Sequence, residues 1–174
     1  LDIDFDYLPS PLDVQKFNKI ENVKKIENQV AYIGRDSHEK GIDILKKAES
    51  QINGNVVYCV DRSWEDAMRI IKSSSAIVVP SRMESLPTTI KEAFYLNVPV
   101  IATNVGGIPE LVIDNETGLL VPSENPEKLA DAVNELLSDT EKAKKLARNG
   151  NDFVKKNMTW DVILPKYIQF YKNL

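Results

Sequence analysis

"AIVVPSRMESLPTTIKEAF" occupies residues 76–94. It opens on four apolar residues and closes on a stripe of Ile90, Ala93 and Phe94, with a polar break between them. The opening run is short, continuous and rich in β-branched side chains, which suits a strand covered on both faces. Pro87 suits the first helical position, where a missing N–H costs nothing, so a helix is expected to start near it. A buried strand that passes through one loop into an amphipathic helix is half of a βαβ unit.

The same alternation extends in both directions. "VAYIG" (30–34), "VVYCV" (56–60) and "VPVIAT" (98–103) read as further buried strands, and "FDYLP" (5–9) and "GLLVP" (118–122) as weaker candidates. Helical patterns fill the gaps. Lys40 to Ile52 carries Ile42, Ile44, Leu45 and Ala48 at helical spacing. Ser63 with Asp66 is a capping pattern for "SWEDAMRIIKS". Asn125 and Pro126 open the next helix, with Leu129, Ala132, Val133, Leu136 and Leu137 as its buried stripe. Ser138 and Glu141 predict a second capping box, for a helix running towards Lys156, and a last helix begins near Trp160. Strands alternating with helices predict an α/β fold, a doubly wound, Rossmann-like parallel sheet. The three final helices form a helical tail, expected as an appendage on the end of the sheet.

The chain has 174 residues, 43% hydrophobic and 28% charged, with a net charge of −4. One domain with a real core fits that length. An acidic protein lacks the overall field that attracts nucleic acid, so any anion site must be built locally. Cys59 stands alone within an apolar run, which excludes a disulfide framework and a cysteine-based metal site. No run of 18 apolar residues and no leader pattern is present, so cytoplasmic placement is the expectation. The sequons at Asn115 and Asn157 are then chance matches. Leu1 stands first where Met is usual, as in a piece of something longer.

In such a sheet ligands bind beyond the carboxyl ends of the strands. The segments there are "GRDSHEKG", "DRSW", "SRMESLPTT" and "NVGGIPE". The first holds Arg35 and Lys40, a planar fork and a movable point charge, able to grip a diphosphate or to sit in a solvated loop. In the third, the amides of Ser85, Leu86, Thr88 and Thr89 would point out of a helix start, an end that favours anions. Glu84 and Glu92 stand eight residues apart, about 80° around a helix. They need not form one acid–base pair. Ile90, Ala93 and Phe94 leave Glu92 on the opposite side, where a carboxylate can accept two hydrogen bonds from a vicinal diol such as ribose. Both glutamates would equally serve as surface charges. Gly106–Gly107 permits close backbone approach or simply a tight turn.

These segments, with "NETGLLVP" after them, resemble in order the donor-binding, C-terminal half of retaining GT-B glycosyltransferases of the glycogen-synthase and mannosyltransferase-like group. The resemblance spans residues 30–122, extends into the tail through Trp160, and includes "LPSPLDVQKF" (8–17), which is similar to the segment that opens this half. It implies that Arg35 and Lys40 hold the donor diphosphate. The amides after Glu84 would meet the distal phosphate and the sugar, with Glu84 itself on sugar hydroxyls near the reacting carbon. Glu92 would bind the ribose, and Gly106 and Gly107 would border the acceptor side. It implies transfer of a sugar from a nucleotide diphosphate to a glycan, lipid or small-molecule acceptor, without metal or other cofactor. Residues 1–174 would be one nucleotide-sugar-binding domain, and the acceptor-binding domain would lie outside this chain. Two positions and one stretch depart from the pattern. Ser85 replaces a common glycine, Val60 stands at a usual glycine near the base site, and the stretch between Lys40 and Pro80 is short by a strand–helix unit. Arg62 is a weak candidate for the base, and the lone His38 is expected to be a solvated loop residue. The competing class is a non-enzymatic binding or scaffold module.

Asp2, Asp4 and Asp6 mimic a metal-binding DxD motif but precede the binding edge, so they read as strand-entry charges. The basic stretch "EKAKKLARNGNDFVKK" invites membrane contact, but Glu141 and Asp152 interrupt it and a solvated helix face is expected.

Overall fold

The computed structural model describes residues 8–172. Five parallel strands build one sheet: β1 (Gln29–Ile33), β2 (Asn55–Cys59), β3 (Ala76–Val79), β4 (Val100–Thr103) and β5 (Leu119–Val121). Their order is β2-β1-β3-β4-β5. The four strong strand expectations hold, and the weaker one at 118–122 is a strand as well. For "FDYLP", residues 5–7 lie outside the described residues and Leu8–Pro9 form no strand; Asp2, Asp4 and Asp6 also lie outside.

The alternation within each strand divides the core into two layers. Val30, Val78 and Ile101 face α1 (Ile42–Ala48) and α5 (Pro126–Ser138). Ala31, Ile77 and Ala102 face α2 (Trp64–Ser73), α3 (Thr88–Tyr95) and α4 (Ile108–Leu111). Each fully buried Ile or Leu in these layers contributes roughly 1.5–3 kcal/mol. The strands read as continuous apolar runs because both faces are covered.

The tail differs from the expectation of an appendage. Leu129, Val133 and Leu136 pack α5 onto the sheet beside α1. The chain then passes to the other layer, where Val154 of α6 (Thr140–Asn157) packs in the same cluster as Phe94 of α3. The sheet needs α5 to cover Ile101 and Leu119, so the first tail helix is part of the core. Of the three tail helices, α7 (Trp160–Lys172) alone stays outside both layers, and Ile163 is its one buried residue among those described.

Local capping follows sequence closely. Ser63 Oγ accepts from Asp66 N–H at 3.1 Å and Asn125 Oδ1 from Lys128 N–H at 2.9 Å. The box expected at Ser138 is displaced by one residue. Ser138 donates its hydroxyl to Glu135 O in the last turn of α5, and Asp139 caps α6 by accepting from Lys142 N–H at 2.8 Å. A hydroxyl already engaged in the preceding helix is not available to start the next.

Candidate functional site

Strand order reverses at β1. The chain leaves β1 for β2 on one side and returns to β3 on the other, with α1 and α3 on opposite faces of the sheet. The loops after β1 and β3 therefore flank the crevice where such sheets take ligands.

These two loops are bound to each other by main chain. Gly41 takes φ +64°, and a Cβ there would lie 2.0 Å from Pro80 O. Arg82 N–H and Met83 N–H both donate to Glu39 O, at 2.7 and 3.3 Å. The Arg82 guanidinium then reaches Asp43 Oδ1 and Oδ2 at 2.7 and 2.8 Å, His38 O at 2.8 Å, and the carboxylate of Glu124. Hydrogen bonds from Arg82 hold the Asp43 carboxyl well below the usual carboxylate range. Sequence reading missed Arg82. Its acidic partners lie 39 and 42 residues away, so no local pattern marks it.

The binding side of this clamp carries Lys40 and Glu84. Lys40 Nζ meets Glu84 Oε1 at 2.5 Å, and Ser81 Oγ donates to the same oxygen at 3.0 Å. The Glu84 side chain is only 9% exposed. The two residues assigned from sequence to different parts of one ligand thus pair with each other. The bond spends one of the three N–H directions of the Lys40 ammonium. Arg35 is exposed on the same loop, and its guanidinium makes no ion pair among the described residues. Its carbonyl accepts from Tyr32 Oη at 2.6 Å. The Tyr32 hydroxyl is pushed up to about 12 by burial and then by the negative charges of Asp36 and Glu84.

The glycine pair packs against this group. Gly106 has φ +52°, and a Cβ on it would sit 1.8 Å from Glu84 O; a Cβ on Gly107 would sit 1.8 Å from Ser85 O. Gly107 N–H donates to Glu84 O at 3.3 Å. Close approach is therefore the reason for both glycines, and the surface approached is the backbone of Glu84 and Ser85. Thr103 Oγ1 donates to Ser81 O at 2.5 Å and fixes the same loop from β4.

Helix α3 begins one residue later than expected. Pro87 is its N-cap, with ψ 121°, and Thr88 is its first residue. A proline side chain cannot accept a hydrogen bond, so α3 has no side-chain cap. The first amide with an acceptor is Ile90 N–H, to Pro87 O at 3.2 Å. Among the described residues nothing accepts from the amides of Ser85, Leu86, Thr88 or Thr89. Ser85 and Thr88 are exposed, Leu86 and Thr89 half-buried.

Glu92 departs from the expectation of an open side. It is buried at 8% exposure, and its Oε1 accepts from Trp64 Nε1 at 2.8 Å. Helix α3 lies between α2 and α6, so five consecutive residues, Ile90 to Phe94, are buried rather than one stripe. Burial pushes the Glu92 carboxyl up, while the Trp64 bond and the charge of Lys91 pull it down. Lys91 is itself 1% exposed and gives its ammonium to Ser10 O and Oγ, both at 2.9 Å. No hydrogen bond or ion pair links Glu92 to the Lys40–Glu84 pair among the described residues. His38 and Arg62 are exposed, and His38 contributes its carbonyl to Arg82.

Residues 47–153 match the model of the family described as glycosyl transferases group 1. The chain is 30% identical over 167 residues to an uncharacterized glycosyltransferase of Methanocaldococcus jannaschii, covering 82% of this chain and 47% of that protein. Over 90 residues it is 39% identical to a GDP-mannose-dependent alpha-(1-6)-phosphatidylinositol monomannoside mannosyltransferase of Mycobacterium tuberculosis, covering 52% of this chain and 23% of that protein. Its fold superposes with a TM-score of 0.79 and 26% identity on sucrose-phosphate synthase from Thermosynechococcus elongatus, covering 94% of this chain and 49% of that one. With a five-stranded parallel sheet that matches the C-terminal, Rossmann-like half of GT-B enzymes, this chain belongs to the glycosyl transferases group 1 family.

Proposed function

We propose that this chain is the donor-binding domain of a retaining, metal-independent glycosyltransferase that moves a hexosyl group from a nucleoside diphosphate to an acceptor. One observation carries the reading: Lys40, Glu84 and the Gly106–Gly107 pair gather beside the uncapped start of α3 at the reversal of strand order. The GDP-mannose-dependent relative supports a nucleoside diphosphate sugar as donor. The chain spans about half the length of relatives it matches along most of its own length. The acceptor, a glycan, lipid or small molecule, is then held by a further domain. We place the reaction in the cytoplasm; among the described residues no helix is long and apolar enough to cross a membrane.

In this reading Arg35 and Lys40 take the diphosphate, joined by the amides of Ser85, Leu86, Thr88 and Thr89. Glu84 gives up part of its hold on Lys40 and accepts from sugar hydroxyls, and Glu92 accepts from the ribose. Gly106 and Gly107 hold the Glu84–Ser85 backbone in place. As transfer proceeds, the bond from the anomeric carbon to the phosphate oxygen breaks and its electron pair leaves with the diphosphate. The acceptor hydroxyl oxygen bonds to the same carbon on the face the diphosphate leaves, and its proton passes to an oxygen of the departing diphosphate. Fixed positive charge around the departing diphosphate lowers the barrier because it needs no reorganisation at that moment. The same fixed charge supports independence from metal.

Calorimetric titration with UDP, GDP and ADP tests the donor site. One nucleotide should bind saturably and be lost in Arg35→Ala and Lys40→Ala. Absence of binding by all three at millimolar concentration would instead favour a scaffold that keeps the fold without the site.

A further inference from the structure

The loop after β2 leads into Trp64, the first residue of α2. Its ring is fixed on two sides. The Ser63–Asp66 box sets the helix start, with Ser63 Oγ bonded to Asp66 N–H at 3.1 Å and to Asp66 Oδ2 at 2.8 Å. Phe17 meets the indole edge to face, with centroids 5.2 Å apart and planes at 79°, and Phe17 is in turn packed on Tyr95 at 4.6 Å. The indole N–H is therefore aimed before any ligand arrives, and it is aimed at Glu92 Oε1, 2.8 Å away.

That bond divides the carboxylate. Oε1 is occupied, whereas Oε2 accepts from nothing among the described residues and still reaches the surface, since the one buried side-chain oxygen there without a partner is Ser37 Oγ. A carboxylate oxygen with unused lone pairs in a largely buried side chain calls for a hydroxyl donor. With Oε1 pinned, rotation of the carboxylate is blocked and Oε2 keeps one direction.

We propose that Trp64 is a positioning residue of the donor site: its indole N–H fixes Glu92 so that Oε2 receives the ribose hydroxyls, and so sets the preference for ribonucleotide over deoxyribonucleotide. The inference rests on the donor-site reading above and on Glu92 as its ribose acceptor. In this reading Trp64 acts on the ribose through Glu92, whose Oε1 its indole N–H holds. A Phe at this place keeps the ring against Phe17 and removes the N–H.

The test compares the nucleoside diphosphate that binds with its 2′-deoxy analogue, by calorimetry, in the wild type, Glu92→Ala and Trp64→Phe. The wild type should prefer the ribonucleotide, and Glu92→Ala should abolish the preference. Trp64→Phe should weaken the ribonucleotide roughly three- to tenfold, the scale of one hydrogen bond, and leave the deoxy analogue unchanged. Equal weakening of both ligands, or no change in either, overturns the role of Trp64 and leaves the donor site standing. No binding, or a wild type that does not discriminate, overturns the reading beneath it and this inference together. Should Trp64→Phe fail to fold, Trp160→Phe leaves Trp64 as the sole tryptophan. Its emission should then shift with the ribonucleotide and not with the deoxy analogue, and equal shifts overturn the proposal.

Discussion

Arg82 holds Asp43 with two parallel hydrogen bonds, 2.7 and 2.8 Å long, and through them ties the loop after β3 to the first turn of α1. Arg82 N–H also donates to Glu39 O, next to Lys40 in the chain, and Arg82 stands two residues before Glu84, so the clamp supports both stability and the shape of the site.

Replacing Arg82 by Ala should therefore destabilise the protein and weaken nucleotide binding without removing any proposed contact to the ligand. Charged hydrogen bonds contribute more than neutral ones, but the Asp43 side chain is 46% exposed and solvent screens the pair. The expected loss is on the order of 1–2 kcal/mol, read as a lower urea midpoint at constant slope. Arg82→Lys should recover little, because an ammonium cannot form the parallel fork.

Acid should remove the same contribution. Hydrogen bonding from Arg82 depresses the folded pKa of Asp43 below its unfolded value of about 3.9. The stabilisation is present above that unfolded value and is lost as pH falls through the folded one. Urea midpoints measured from pH 6 down to pH 3 should fall more steeply below pH 4 in the wild type than in Asp43→Asn. Parallel curves would contradict this.

Glu92 has the opposite sign. Burial raises its folded pKa, so the folded state favours the neutral carboxyl, and stability declines as pH rises from the unfolded value near about 4.3 through the folded one. Glu92→Gln keeps an acceptor for Trp64 and removes the buried charge. It should melt higher than wild type at pH 7, lose that advantage near pH 4, and show no preference for ribonucleotide. Melting curves at the two pH values, with one titration, check all three.

Gly106 and Gly107 separate two steric effects. Gly107→Ala meets only the clash with Ser85 O, whereas Gly106→Ala meets Glu84 O and must also adopt φ +52°. Both should displace the Glu84–Ser85 backbone and lower nucleotide affinity. Each should cost about 1–3 kcal/mol, with Gly106→Ala the worse, by thermal or urea unfolding.

The amino-acid sequence by itself determined the strands, the layered α/β class and most helix starts. Runs such as Ala76–Val79 are apolar because both faces are buried, and caps such as Ser63 and Asn125 act on amides three residues away. Such signals are local, so they are written in consecutive residues. The four binding-edge loops were legible for the same reason, since each follows its strand directly. Tertiary structure alone decided that Lys40 pairs with Glu84 across 44 residues, that Arg82 joins three loops, and that Trp64 covers Glu92. It also moved α5 from the tail into the core and made Glu92 a buried carboxylate. These outcomes depend on which faces of α2, α3 and α6 meet, and a contact between distant segments leaves no period or spacing in the chain that makes it.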